Sequence, residues 1–385
     1  MSDPKWKKET KLMHAGRNPD DYYGVVNPPI VRTSTILYKD LAAYKDPQTK
    51  YRYGRVNNPL SCSFEEAIAQ LEGGFNAITA SSGFNAISTS LFAFLKAGDH
   101  VLIVDSCYPP TRFFANQQLK SFGIDVEYYD PMVGAGIKDL IKDNTAVIYL
   151  ESPGSATFEV QDVPAITKIA KEHDIITIAD NTYSAGVLFR PLEHGVDISV
   201  QSAAKYIGGH SDVNLGVAVA ASEKIFKKLK NAAVNIGVCA SAEDLYLSIR
   251  GLRTLEMRLD YAAKNMTPIL DWFANRKEVQ MLYSPVLETN RGHEIWERDF
   301  TGHNGVFSVL FNPEYSYEDI SRFIDALELF PVGSSWGGYE SLVQPQDMDA
   351  YRSNWDKKGV FIRFQVGNEN TEDLIADLEN GIKNL

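Results

Sequence analysis

Cysteine is scarce in this chain: Cys62, Cys107 and Cys239 are the only three among 385 residues, and no two form a CxxC pair. Such spacing supports neither a disulfide framework nor a zinc site, and it suits reduced thiols in a cytoplasmic setting. Positive charge is also in short supply. The formal net charge of −12 argues against a nucleic-acid or anionic-membrane partner, since both need a basic footprint. No apolar run approaches the roughly 20 residues of a membrane span. The stretch Met1 to Glu9 is charged where a signal peptide needs an apolar core. The seven histidines show no metal-ligand spacing. The neighbours His210-Ser211-Asp212 cannot face one another as a catalytic triad. There is no internal repeat, low-complexity tract, P-loop, HExxH or GxSxG elbow. Gly134-Ala135-Gly136 starts like a dinucleotide fingerprint, but Asp139 stands where the third glycine belongs, and no strand is expected before it.

What is present is an ordinary globular composition, 44% hydrophobic and 23% charged, long enough for two cores. Residues 1–55 are poor in periodic structure and rich in Tyr, Pro, Asn and Arg. Such an arm cannot form its own core and is expected to pack on something else, a second subunit being one candidate. From 56 to 251, helix-like and strand-like runs alternate. The strand candidates His100–Asp105, Ala146–Leu150, Ile175–Ala179 and Gly216–Ala220 are continuous apolar runs, as expected for strands covered on both faces. With amphipathic stretches such as Val163–Lys171 between them, βαβ units and a mainly parallel sheet follow. Residues 252–385 mix strand-like Val306–Phe311 and Val360–Val366 with helices. The last helix is expected to start at Thr371 as N-cap, with Leu374, Ile375, Leu378 and Ile382 on one face, within a smaller α+β domain.

Chemistry in such a sheet collects at the carboxyl ends of the strands. The run Ile198-Ser199-Val200-Gln201-Ser202-Ala203-Ala204-Lys205 ends an apolar strand in small residues and then one lysine, followed by Gly208-Gly209. Desolvation there disfavours the ammonium and leaves a nucleophilic amine, which is what Schiff-base chemistry needs. Taken alone, a lysine capping a strand end is the commoner explanation; Asp180 and the rest of the chain reverse that order. Asp180 closes the run Ile175–Ala179. It either caps the next turn or holds a protonated ring nitrogen of a cofactor. Ala80-Ser81-Ser82-Gly83-Phe84 reads as a glycine turn opening a helix, with backbone N–H groups suited to a phosphate, though such turns are common. Tyr108, after Val101–Val104, could lie over a planar cofactor, or be an ordinary loop tyrosine.

A lysine, an upstream aspartate, a phosphate turn and a stacking tyrosine, in this order, resemble a fold-type I pyridoxal-phosphate (PLP) enzyme. More specifically, the chain resembles the Cys/Met-metabolism family, which includes cystathionine β-lyase, γ-lyase and γ-synthase. The resemblance covers almost the full length. It runs through Leu12 to Arg17, Tyr53-Gly54-Arg55, Gly98 to Val101, Ala179 to Thr182, Lys205 to Asp212, Arg250 to Leu255 and Ile362-Arg363. Within the family, Leu150-Glu151-Ser152-Pro153-Gly154-Ser155, His293-Glu294, Arg298 to Gly302 and Ser335 to Leu342 are similar to the bacterial cystathionine β-lyases. Two departures stand out: Ala204 replaces the threonine that commonly precedes the lysine, and Phe84 replaces a Met or Ala after the phosphate-turn glycine. The turn Val56 to Leu60 also differs from the family's usual Gly-Asn/Thr-Pro-Thr.

The resemblance implies a mainly parallel sheet in a large three-layer domain (56–251), a smaller α+β C-terminal domain (252–385) and an N-terminal arm (1–55) reaching a neighbouring subunit. It implies that Lys205 binds the cofactor and moves the Cα proton, that Asp180 pairs with the pyridinium nitrogen, and that Tyr108 stacks on the ring and helps deprotonate the incoming amine. The amides of Gly83 and Phe84 and the hydroxyl of Ser202 would bind the phosphate, with Tyr53 and Arg55 reaching the phosphate of a neighbour. Arg363 would clamp the substrate carboxylate, as only a planar guanidinium can; a strand-end ion pair, with Glu369 nearby, is its commoner fate. Ser335 and Trp336 would line the substrate side, although plain packing also accounts for Trp336. The implied activity is α,β-elimination of L-cystathionine to homocysteine, pyruvate and ammonia, as in methionine biosynthesis, by a cytoplasmic homotetramer built from dimers sharing active sites. The alternatives are a γ-lyase or γ-synthase, a general cysteine-S-conjugate β-lyase, or a catalytically silent PLP-binding regulatory protein. The surroundings of Ala204 and Phe84 also leave room for reprotonation opposite Lys205, which would make the enzyme an alanine racemase as a side activity.

Overall fold

The computed structural model describes residues 6–385; Met1–Lys5, part of the charged N-terminal stretch, lie outside the described residues. Among the described residues, eleven strands form two sheets. The larger contains β1 (Asn76–Ala80), β2 (His100–Val104), β3 (Asp125–Tyr129), β4 (Thr145–Glu151), β5 (Ile176–Asp180), β6 (Ile198–Ser202) and β7 (Gly216–Ala220), in the order β1-β7-β6-β5-β4-β2-β3. β3, β2, β4, β5 and β6 run parallel, and β7 runs antiparallel to both β6 and β1. The smaller sheet is antiparallel throughout: β8 (Val279–Tyr283), β9 (Val306–Phe311), β10 (Leu342–Pro345) and β11 (Phe361–Gln365), ordered β10-β11-β9-β8.

Burial on both faces explains the continuous apolar runs. Every residue of β2 and β7 is buried. In β7, side chains alternate between two cores. Val217 and Val219 pack with Leu60, Phe64 and Ile68 of the Pro59–Glu72 helix, whereas Ala218 and Ala220 join Ile87 and Leu91 of the Gly83–Phe94 helix. Helix, sheet and helix therefore make three layers. β7 also corrects one inference: a continuous apolar run reports covered faces, not strand direction. β3 went unread because an edge strand tolerates charges, and its Asp125 is exposed.

The Pro59–Glu72 helix is fixed by its ends. Asn58 accepts hydrogen bonds from the amides of Leu60 (3.0 Å) and Ser61 (3.1 Å), and proline occupies the first helical position. At the other end Glu72, fully buried, accepts from the Asn181 amide (3.2 Å), the Ser199 hydroxyl (2.9 Å) and the Gln201 amide. It ties the helix to the carboxyl ends of β5 and β6. Burial pushes its carboxyl up to about 7, against the pull of those three donors.

A third core, with Phe273, Phe307, Phe323, Phe364, Leu374 and Leu378, belongs to the smaller sheet and its helices. The Leu255–Ala274 helix joins the cores: Leu255 and Leu259 pack with the large sheet, Met266 to Phe273 with the small one. The last helix is capped by Asn370, not Thr371; Asn370 Oδ1 accepts from Glu372 N at 2.8 Å, and Thr371 is the first helical residue. The start of the arm docks on its own chain, where Arg253 donates to the carbonyls of Leu12 (2.5 Å) and Ala15 (3.0 Å). Further along, Tyr23, Val26, Leu37, Leu41, Tyr44 and Tyr53 are exposed.

Candidate active site

β4, β5 and β6 end side by side, and their last residues are Glu151, Asp180 and Ser202. Asp180 is buried at the strand end; its Oδ1 accepts from Thr182 N at 3.0 Å and its Oδ2 from the Tyr149 hydroxyl at 3.4 Å. It caps the following turn and faces the site at once. Burial raises its carboxyl, while Thr182, Tyr149 and the charge of Lys205 pull the other way.

Lys205 follows β6 in a tight turn in which Lys205 N donates to Ser202 O at 3.1 Å and Gly209 N to Lys205 O at 2.8 Å. Arg258 staples this turn from outside, donating to the carbonyls of Tyr206 (2.6 Å) and Gly251 (2.8 Å). The smaller domain closes over it. Gly337, at φ 81°, lies so close that a Cβ there would stand 2.8 Å from Tyr206 N and 3.2 Å from Lys205 Cα. That contact brings Ser335 and Trp336 to the lysine. Nζ donates to Ser335 Oγ at 2.6 Å and lies 5.6 Å from the centre of the Trp336 ring. Trp336 also tilts against Tyr206, 5.7 Å between rings, so it packs and lines the site together. Burial first, and the Arg363 charge second, bring the Lys205 amine down to about 8, with Asp180 opposing.

Arg363 sits in β11 between Ile362 and Phe364, whose side chains enter the core on the opposite face. Its guanidinium donates to Ser335 O (3.0 Å) and Gln344 Oε1 (2.5 Å). Among the described residues it has no carboxylate partner; Glu369 is instead engaged by Ser341 N (2.6 Å) and Ser341 Oγ (3.0 Å). Tyr108 precedes the Pro109–Phe114 helix with its ring partly exposed, and burial, then Asp180 and Glu151, raise its hydroxyl.

Ser82 caps the Gly83–Phe94 helix, accepting from Asn85 N at 3.1 Å. The amides of Gly83 and Phe84, in the first turn, have no helical carbonyl to bind. Ser202 backs them closely: a Cβ at Gly83 would stand 2.8 Å from Ser202 Oγ. The Phe84 ring turns away, edge-on to Phe114 at 5.6 Å, leaving its amide to the cradle. Tyr53 and Arg55 are not brought to this cluster within one chain. Tyr53 bridges to Thr35, and Arg55 Nη1 donates to Val234 O at 2.8 Å. Glu151 was given no role from sequence, although the strand-end signal that marked Asp180 applies equally to it.

Comparison with known proteins fits this geometry. The family model described as "Cys/Met metabolism PLP-dependent enzyme" matches residues 9–383. The chain belongs to this family. It is 42% identical to a putative cystathionine beta-lyase of Rhizobium johnstonii, covering 97% of this chain and 95% of that one. It is 37% identical to cystathionine beta-lyase MetC of Escherichia coli (98% and 99% covered). It is also 38% identical to an L-alanine/L-glutamate racemase of Wolbachia pipientis (98% of each). Among solved structures, cystathionine gamma-lyase from Lactobacillus plantarum complexed with L-serine superposes with a TM-score of 0.92 at 30% identity, covering 98% of this chain and 99% of that one.

The residues present fit the family's cofactor. A free-amide cradle backed by a hydroxyl suits its phosphate, a buried carboxylate its ring nitrogen, and an amine of lowered basicity its aldehyde carbon. A partly buried amine near 8 should become reactive as pH rises through that value. In cofactor-free protein, modification of Lys205 by an amine-selective aldehyde should therefore show a midpoint near pH 8. A midpoint in the ordinary lysine range, near 10.4, would contradict the burial argument.

Proposed function

We propose that this enzyme cleaves the Cβ–S bond of L-cystathionine, adding water to release homocysteine, pyruvate and ammonia. The observation that carries the reading is the buried guanidinium of Arg363, without a carboxylate partner, in the same small volume as Lys205 and Asp180. The β-lyase names of the Rhizobium and Escherichia relatives supply the thioether.

PLP, when bound, supplies an electron sink for the pair released at the substrate Cα. Asp180, ionised, holds a proton at the ring nitrogen. Tyr108 covers the ring and takes a proton from the incoming amine. Arg363 grips the α-carboxylate through two parallel N–H donors, which fixes Cα beneath Lys205. Lys205 Nζ removes the Cα proton; the pair left there closes onto Cβ as the Cβ–S bond breaks, and Nζ returns its proton to sulfur. Ser335 holds Nζ by its hydroxyl, and Trp336 walls the substrate side. Gly83, Phe84 and Ser202 hold the phosphate.

The protein works as a cytoplasmic homotetramer of dimers in which Tyr53 and Arg55 reach the phosphate of a neighbour. The exposed apolar residues between Tyr23 and Tyr53 support this, since a monomer gains nothing by presenting them. Among the described residues no helix is long and apolar enough to cross a membrane.

The Wolbachia relative favours a second reading as a side activity, alanine racemisation. Alanine has no leaving group at Cβ, so the proton must return to Cα. Delivery from the Lys205 face restores L-alanine, and delivery from the Tyr108 face gives D-alanine.

One product panel separates these readings. Cystathionine should yield pyruvate and a thiol; release of 2-oxobutyrate would instead mark a γ-lyase. Lys205→Ala should abolish turnover, and near-normal activity would sink the assignment. With L-alanine in deuterated water, Cα exchange without D-alanine would reject the racemase alone. Arg55→Ala should weaken cofactor retention by about 1.5–3 kcal/mol through loss of a charge-assisted hydrogen bond. A monomer with full cofactor occupancy would contradict the shared site.

A further inference from the structure

Glu151 is a buried carboxyl that the reaction described above does not use. It ends β4 as Asp180 ends β5, and the two are register partners on adjacent parallel strands. In-register neighbours of a parallel pair leave the sheet on the same face, so the two carboxyls share one pocket. The contacts of Glu151 are those of a part built into the site. Oε2 accepts the Tyr108 N–H at 2.6 Å, and Oε1 lies 2.5 Å from Ser155 Oγ, which donates to it. Tyr108 is the residue whose ring flanks the site, and among the described residues Glu151 is the one side chain that holds its backbone amide.

We infer that Glu151 is a positioning residue: as the proton-bearing member of a carboxyl pair with Asp180, it anchors the Tyr108 backbone without adding a second negative charge beneath the cofactor ring. This rests on the assignment of Asp180 and Tyr108 to the cofactor.

The charges around Glu151 support the division of labour. Asp180 faces it from β5, Tyr149 stands on its own strand, and Cys107 and Tyr108 come from the loop after β2. Tyr351 and Arg352, from the helix Met348–Tyr351 and its end, complete the set. Of the cations nearby, Arg352 is already paired with the buried Glu159, and Arg363 faces Tyr108 and Tyr351 and donates to Ser335 O and Gln344 Oε1. Asp180 has the nearer support, from Thr182 N, the Tyr149 hydroxyl and the charge of Lys205. Two adjacent buried carboxyls do not both ionise. Burial, then the Asp180 charge, push Glu151 well above the usual glutamate range, so it keeps the proton. With a proton on Oε1 the short bond reverses and Glu151 donates to Ser155 Oγ, while Oε2 still accepts from Tyr108.

Glutamine reproduces that neutral form, with one oxygen to accept from Tyr108 and one N–H to donate to Ser155. Glu151→Ala leaves the Tyr108 amide without its acceptor. The test compares both variants with wild type as loaded enzymes, by cofactor retention on dialysis, thermal midpoint against pH, and kcat with KM. Glu151→Ala should lower kcat about tenfold or more, and Glu151→Gln should restore most of that loss. The native protein keeps a proton that the unfolded chain gives up near pH 4.3. Relative to Glu151→Gln, the wild-type midpoint should therefore fall as pH rises above the unfolded value, where the unfolded state binds fewer protons than the native one. Parallel midpoint profiles would overturn the proposal, as would a Gln variant as impaired as Ala, or an Ala variant equal to wild type. Should wild type release no pyruvate from any thioether, the functional reading fails alone, because retention and melting still decide the role of Glu151.

Discussion

The cost of burying charge governs this site. Lys205, Arg363, Asp180 and Glu151 lie together where the large sheet meets the smaller domain, the two acids buried and the two cations partly so. Burial lowers both cations and raises both acids. Anionic groups would relieve the cost of the cations: a phosphate at the Gly83–Phe84 turn and a carboxylate at Arg363. A ligand carrying both, with a cationic ring nitrogen against Asp180, would meet the charges of Arg363 and Asp180 at once. Charge complementarity and the lowered basicity of Lys205 thus have one origin.

Holding such groups in place requires a scaffold that leaves them little freedom. The parallel strands set Glu151, Asp180 and Ser202 in adjacent rows, and Glu72 pins the ends of β5 and β6 from below through Asn181, Ser199 and Gln201. From the other side the smaller domain reaches Lys205 by backbone contact at Gly337. Gln365 secures that contact, accepting from Gly337 N at 3.1 Å and from the Tyr206 hydroxyl at 3.4 Å. Ser335, Trp336 and Arg363 are therefore placed by the same interface that encloses the lysine.

Much of this was legible in the sequence because burial writes itself into composition. The apolar runs marked five of the seven large-sheet strands, and the polar residues that follow or end them marked Lys205, Asp180 and Tyr108. Strand direction was not legible, since β7 is covered on both faces and antiparallel all the same. Glu151 entered only as part of the Leu150–Ser155 motif, because a strand-end glutamate carries no role until the register shows Asp180 beside it. The fate of Arg363 turned on Glu369, which only the fold shows to be engaged by Ser341. Tyr53 and Arg55 are not brought to the cluster within one chain, where Tyr53 bridges to Thr35 and Arg55 donates to Val234 O.

The central claim is that Lys205 is the residue that bonds the cofactor. Reducing the loaded protein with borohydride fixes any such bond, and peptide mass spectrometry then locates it. The account predicts a single modified peptide carrying Lys205, with the modification lost in Lys205→Ala. A label on another lysine, or none on a protein that retains its cofactor and its activity, would contradict it.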